Sequence, residues 1–195
     1  HLGGSSSITA ILDGVSVGTS MGLSPQSGLA QNNRVGDLDS FAVPFAMRTL
    51  GLSLDEAERQ LCKESGLKGL SGVSNDIRDI IAAAGKGDAK AKLALEIYVA
   101  NARHWIGAFL AQLNGADALV FTAGIAENQP AVRAAICADL ELLGLRLDES
   151  KNSQARAEEV AISAADSRTK IMVIPTNEEL VVAREAKRLL EQQRN

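Results

Sequence analysis

Aromatic side chains are scarce: 3% of 195 residues, with one Trp, one Tyr and four Phe. The core must therefore be aliphatic, built from Ala, Leu, Ile and Val. There are two cysteines, Cys62 and Cys137. They lie far apart, match no metal-ligand spacing, and read as buried free thiols of a reducing compartment, the cytoplasm. An excess of basic charge is also missing, since 20 Lys and Arg stand against 24 Asp and Glu. That composition lacks the footprint of a nucleic-acid binder. No apolar run approaches the roughly 18 to 20 residues of a membrane span, and no secretory signal opens the chain. Nor does a Met: the chain runs from His1 straight into HLGGSSS, which reads as a fragment or a truncated gene of something longer. What is present, 46% apolar and 23% charged residues, suits a globular protein of one large domain or two small ones.

Residues 8–12 and 15–21 flank Asp13-Gly14, a pair that tolerates positive φ at both turn positions and predicts a hairpin. A polar loop over 22–37 follows. The stretch 38–50 is apolar enough for a helix, with Pro44 inside it as a break or start. Ser53 and Glu56 form a capping box for a helix over 54–64. Residues 65–74 read as a Gly-rich connection and 75–84 as a short helix. Asp88 caps a long helix to Leu113. Its stripe of Leu95, Tyr98, Ala102, Trp105, Phe109 and Leu113 is wide enough to be buried on more than one side. Residues 118–123 predict a buried strand, 129–143 a helix opened by Asn128 and Pro130, and 145–147 a short strand. The stretch 149–169 has no clear period. Residues 171–174 predict a second buried strand. Thr176 and Glu179 make a capping box for the last helix. The order is that of an α/β protein with a central sheet.

Five stretches could carry chemistry, and each has an ordinary alternative. The turn His1-Leu2-Gly3-Gly4-Ser5-Ser6-Ser7 could cradle phosphate with backbone N–H groups, or be a flexible tail. Arg34, in Asn32-Asn33-Arg34-Val35-Gly36-Asp37, suits bidentate anion recognition, or pairs on the surface with Asp37 or Asp39. The run 121–128 places a Gly turn between strand and helix, where ligand crevices form, or is a plain connection. Glu179 is explained by the capping box, whereas Glu178 is left free to serve Mg²⁺ beside substrate phosphates. Asp76 and Arg78 could bond a ribose and stack on a base, or simply start a helix.

Their order says more than each alone. HLGxxxSITAI, TSMGxSPxxGL, NRVGDLD, SGxxGLSGVSNDIRD, NGADALVFTAGIAEN and IPTNEEL, from His1 to about Leu190, resemble the C-terminal half of acetate kinases. The resemblance implies an actin/sugar-kinase-like (ribonuclease H-like) α/β fold, a mixed central sheet flanked by helices. Residues 1–195 would be the nucleotide-binding domain, with the N-terminal domain absent. It implies reversible phosphoryl transfer between ATP and a short-chain carboxylate, with Mg²⁺. His1, Gly3, Gly4 and Ser5 would face the transferring phosphates, and Arg34 would be the catalytic Arg. Asp76, Ile77, Arg78, Gly124, Ile125 and Asn128 would hold ATP or ADP by its adenosine, and Glu178 would serve the Mg²⁺. A homodimer would involve the broad apolar face of the long helix, with no nucleic acid or membrane partner.

Three places depart from the family pattern. HLGNG is HLGGS here, with Gly4 for Asn and Ser5 for Gly. Gly-Thr before the Arg is Asn32-Asn33. The second Gly of the adenosine loop is Ala126. These mark a divergent subgroup. Two alternatives accompany the acetate kinase reading: a non-catalytic dimerisation or nucleotide-sensing module, and propionate in place of acetate.

Overall fold

The computed structural model describes residues 1–192. The hairpin forms as read: β1 (Thr9–Leu12) and β2 (Val15–Thr19) pair antiparallel. Asp13 and Gly14 both take positive φ, 51° and 78°, the twist a two-residue hairpin turn needs. Next come the polar loop, then α1 (Ala42–Leu50) and α2 (Leu54–Lys63). Pro44 sits in the first turn of α1, where its missing N–H costs nothing. The reciprocal Ser53–Glu56 box caps α2.

The stretch expected as a connection contains a helix, α3 (Gly66–Ser71). Its glycines hide the signal. Gly66 takes φ +60°, and its Cα is so close to the polar loop that an added Cβ would lie 2.1 Å from the Gln31 carbonyl oxygen and 2.5 Å from that of Arg34. Only glycine permits that approach. The N–H groups of Leu67 and Lys68 then donate to the carbonyls of Gln31 and Asn32. The first turn of α3 is thereby satisfied by the loop that carries Arg34.

Helix α4 (Ile77–Gly85) follows, capped by Asp76. The long helix α5 (Ala89–Leu113) starts where Asp88 accepts from the N–H groups of Lys90 and Ala91. Its fully buried line is Ala91, Ala94, Tyr98, Ala102, Ile106 and Phe109, spaced by three and four. Leu95, Trp105 and Leu110 flank it, half-buried against the core. The three alanines let α3 and α4 approach closely on adjacent sides. Leu67, Ile80 and Tyr98 fill the contact with no exposed surface. Each such side chain contributes about 1.5–3 kcal/mol of burial. The middle of the stripe is thus packed inside the chain, while Leu95, Trp105 and Leu113 stay half-exposed. The large apolar side chains left exposed include Phe41, Phe45 and Leu50 around α1.

After α5 the chain makes β3 (Ala118–Phe121), α6 (Ala123–Asn128) and α7 (Pro130–Cys137). A 3₁₀ turn (Glu141–Leu143), α8 (Glu149–Gln154), β4 (Val160–Ala161), β5 (Lys170–Val173) and α9 (Glu178–Gln192) complete it. The single helix expected over 129–143 is cut by Asp139, which takes φ 55°. Residues 145–147 contribute one bridge, Leu147 to Ser163, rather than a strand. The sheet is mixed, in the order β3-β5-β4, with β3 parallel and β4 antiparallel to β5. Strand β3 is less buried than expected, with only Phe121 inside and Val120 41% exposed. The hairpin forms a separate sheet. An apolar groove of about 910 Å³ lies between the two, lined from β1 by Ile11 and Leu12 and from β3 by Leu119 and Phe121.

The last cap also differs. Asn177, not Thr176, caps α9: its Oδ1 accepts from Leu180 N–H at 3.0 Å. Exposed apolar side chains run along α9, among them Val181, Val182, Leu189 and Leu190. Cys137 is buried and its thiol is pushed up to about 12 by desolvation, whereas Cys62 is half-buried. Among the described residues, no helix is long and apolar enough to cross a membrane.

The approach at Gly66 is testable against a control. Gly66→Ala places a methyl group 2.1 Å from a carbonyl oxygen at positive φ and should cost about 3 kcal/mol or more. Gly72→Ala, at φ +66° but with nothing within 4 Å, should cost only about 1 kcal/mol. Urea denaturation of the two variants separates the effects; equal midpoints would refute the packing argument.

Candidate functional site

The site forms at the carboxyl ends of β3 and β5. The last rung between them runs from Ile174 N–H to the Phe121 carbonyl at 2.9 Å. The first loop of the chain docks just beyond it. Leu2 N–H donates to Thr122, and the Leu2 carbonyl accepts from Ile125 and Ala126 at 2.8 and 3.2 Å. The Leu2 side chain is buried.

The loop is closed on itself rather than a free tail. Ser7 N–H donates to the His1 carbonyl, Gly3 N–H to the Ser5 carbonyl, and Ser6 Oγ to the Gly3 carbonyl. Ser6 Oγ also lies 3.0 Å from the Tyr98 hydroxyl in the core, which fixes the loop to α5. Burial raises that phenol to about 12. The N–H groups of Gly4 and Ser5 donate to no acceptor among the described residues. Two adjacent free amides in a small-residue turn are the donors an oxyanion needs.

Arg34 meets this loop. Its Nη1 donates to Ser5 Oγ at 2.6 Å and to Gln31 Oε1 at 3.2 Å, not to Asp37 or Asp39. Asp37 instead accepts from Gly28 N–H. At the loop's other end, His1 Nε2 lies 3.7 Å from Glu178 Oε1. His1, Ala123, Thr176, Asn177, Glu178 and Glu179 line a hollow of about 370 Å³. Arg34 is outside that lining. The loop brings together Gly3, Gly4 and Ser5 with Arg34 on one side and His1 with Glu178 on the other.

The other expected residues sit apart from this loop or are engaged locally. Asp76 and Arg78 pair with each other, and Arg78 holds the Asp76 carboxyl down at about 2. Ile77 is buried in the core. Gly124 is open around its Cα. Asn128 Nδ2 donates to the Gly124 carbonyl at 3.0 Å. Ile125 is buried, and its N–H holds Leu2. Among the described residues, no hydrogen bond or ion pair joins Asp76 and Arg78 to the 124–128 turn. Ala126 needs no unusual backbone angle; the left-handed residue is Ala123, at φ 70°.

Two residues that sequence reasoning missed hold the turn. Glu127, in α6, is buried and accepts through Oε1 from Ala123 N–H at 2.7 Å and Thr176 N–H at 3.0 Å. Arg133 is fully buried in α7. It donates to Asn152 Oδ1 and to the carbonyls of Ala126, Glu127, Asn152 and Ala155. That satisfies every guanidinium N–H without a carboxylate. Desolvation lowers its pKa. The signal was available: Arg133 falls on the same face of α7 as Val132, Ile136 and Cys137.

No group of three potential metal-ligating side chains occurs among the described residues. Glu178 is an exposed carboxylate, with Glu179 beside it in the lining of the same hollow. That donor set fits a Mg²⁺ shared with substrate phosphates and unfit for a protein-only cage.

The fold and the crevice belong to the actin and sugar-kinase class of α/β proteins. A model of the Acetokinase family matches residues 1–184. An acetate kinase of Syntrophomonas wolfei is 49% identical over 185 residues, covering 95% of this chain and 46% of that protein. The crystal structure of Porphyromonas gingivalis acetate kinase superposes with a TM-score of 0.93 at 36% identity, over 97% of this chain and 48% of that one. A propionate kinase from Francisella tularensis gives 0.88 at 43% identity, over 95% and 47%. The chain belongs to the acetokinase family, and it spans about half the length of the relatives it matches.

Tyr98 is the only tyrosine in the sequence, so its titration can be read directly. A folded-state value of about 12 against about 10 unfolded means the native state holds the proton more tightly. The stability contribution is full below pH 10 and lost as pH rises from 10 to 12. Tyrosinate absorbance should stay absent up to about pH 11, and Tyr98→Phe should cost about 1 kcal/mol and remove the Tyr98 share of the alkaline loss, leaving that of the buried Cys137 thiol. Ionisation near pH 10 in the folded chain would contradict this placement.

Proposed function

We propose that this chain is the nucleotide-binding half of a carboxylate kinase, which moves the γ-phosphoryl group of ATP reversibly to acetate and yields acetyl phosphate. The observation that carries the reading is the first loop. Its two free amides, at Gly4 and Ser5, lie between a guanidinium held on Ser5 and a carboxylate beside His1.

The chemistry asks for little else. Phosphoryl transfer depends on positioning and on spreading the negative charge of the transferring group. The acceptor carboxylate is already ionised at pH 7, so no strong general base is needed. Arg34 has Nη1 committed to Ser5 and Gln31, which presets its plane and leaves other donors for phosphoryl oxygens. Such preset donors contribute most where charge develops, in the transition state. Glu178 would hold Mg²⁺, which when bound neutralises phosphate charge. Asp76, Arg78, Gly124 and Asn128 are assigned to the adenosine side. Their mutual bonds make them preorganised rather than free. The acyl pocket is assigned to the half this chain lacks, and a homodimer to the exposed apolar faces of α1 and α9.

Propionate is a second reading. It is supported by the similarity to a propionate kinase at 43% identity, and ranks second because an acetate kinase is 49% identical. A non-catalytic nucleotide-sensing module is disfavoured by the retention of both Arg34 and Glu178 at one loop.

Titration of the chain with Mg-ATP should show weak binding, with a Kd of order 1 mM, or about 4 kcal/mol. Arg34→Ala should weaken it about tenfold, the loss of one charge-assisted contact. The isolated chain should form no acetyl phosphate. Co-expression with an N-terminal acetokinase half should restore turnover, and comparing acetate with propionate there decides the acyl preference. An Arg34→Ala chain that binds Mg-ATP as tightly as the parent would overturn the assignment of Arg34.

A further inference from the structure

We infer that Glu127 is a positioning residue that sets the Mg²⁺-bearing turn against the phosphate loop, acting through main-chain N–H groups without touching substrate. This deepens the kinase reading of the same site and rests on it.

Ile174 N–H to the Phe121 carbonyl is the last regular rung. Pro175 has no N–H, so the next donor on the β5 side is Thr176. A continuing parallel ladder would send that donor to the carbonyl of residue 123. Ala123 cannot present it in strand geometry, because the chain there turns left-handed at φ 70° and enters α6. The Glu127 carboxylate takes the vacant role, accepting Thr176 N–H at 3.0 Å. The same oxygen accepts Ala123 N–H at 2.7 Å, which satisfies the first donor of α6 and holds its left-handed residue.

One oxygen therefore spans two segments that diverge at the strand ends. Thr176 lies two residues before Glu178, and Ala123 faces the loop at Gly3, where an added Cβ would lie 3.4 Å from the Ala123 Cβ. The separation between the loop and Glu178, read as 3.7 Å from His1 Nε2, depends on this bridge. The carboxylate has no cationic partner within ion-pair distance among the described residues. Arg133 fixes it from behind, donating to the Glu127 carbonyl at 3.0 Å. The essential property of Glu127 is reach rather than charge.

Reach and charge separate in two variants. Glu127→Gln keeps the length and an accepting oxygen but removes the charge. Glu127→Asp keeps the charge and loses one methylene. Two readouts apply to the full chain: amide hydrogen exchange at Thr176 by NMR, and ATP affinity with and without Mg²⁺. In the parent and in Glu127→Gln, Thr176 should exchange slowly despite its exposed position, and Mg²⁺ should tighten ATP binding. In Glu127→Asp, Thr176 protection should fall about tenfold. The Mg²⁺ enhancement should disappear while Mg²⁺-free affinity shifts by less than about threefold. A general loss of structure would weaken both affinities together, so the split marks positioning. A Gln variant as deficient as Asp, or an Asp variant equal to the parent, overturns the inference. So does a Thr176 amide in the parent that exchanges like an unprotected one, whether or not a variant folds. If the parent ignores ATP altogether, the kinase reading fails, and the exchange measurements still decide the bridge.

Discussion

The backbone of Leu2 is the contact on which the site depends. Its N–H and its carbonyl are both spent on the turn after β3, the latter twice, and its side chain is buried. A single residue therefore plugs the first loop into the crevice through three hydrogen bonds and an apolar anchor. Everything with chemical potential hangs from that plug. His1 and its contact with Glu178 lie immediately before it, and Gly3, Gly4, Ser5 and the Ser5–Arg34 bond immediately after. The Ser6–Tyr98 bond closes the far side against α5. A loop of small residues gains its fixed shape here from tertiary contacts, since Gly and Ser lose much backbone freedom on ordering.

The chain carries more acidic than basic residues and yet holds an anion-receptive turn. The resolution is local. Its donors are uncharged amides and one guanidinium; of the acids nearby, Asp37 is occupied on Gly28 and Glu127 on two N–H groups, which leaves Glu178 exposed beside His1. The second guanidinium near this turn, Arg133, is fully engaged by carbonyl and amide oxygens and offers nothing to a ligand. One Arg is arranged to receive, the other to build. Their numbers and charges are the same; burial and partner count distinguish them.

Elements specified by adjacent residues were legible in the sequence. Asp13-Gly14, the Ser53–Glu56 box and the Asp88 cap each act within four residues, and each formed as read. Elements specified by distant residues were not. Helix α3 is stabilised by carbonyls more than thirty residues upstream, at Gln31 and Asn32. The turn at 123 depends on the Leu2 backbone and on Glu127. Thr176 looked like a cap because a threonine three residues before a glutamate fits that pattern, but its N–H had a different destination and Asn177 took the cap. The candidate site residues were named from the family resemblance. The structure adds which of them share a loop, and it separates Asp76 and Arg78, paired on α4, from the 124–128 turn.

The departures from the family pattern also acquire a physical relation. Gly4 and Asn32 lie far apart in the chain, yet a Cβ on Gly4 would meet Asn32 Nδ2 at 3.6 Å. Ser5, the neighbouring change, accepts the hydrogen bond that holds Arg34. A carboxamide is missing from the loop at position 4, and one projects towards that position from the facing segment at 32. The glycine at position 4 leaves the room that the Asn32 side chain approaches. The serine at position 5 supplies an oxygen that a glycine cannot offer the guanidinium. These substitutions meet across one gap of the crevice, and their effects on its shape are coupled. Reading each as a separate loss from an ancestral site would count twice what is one rearrangement.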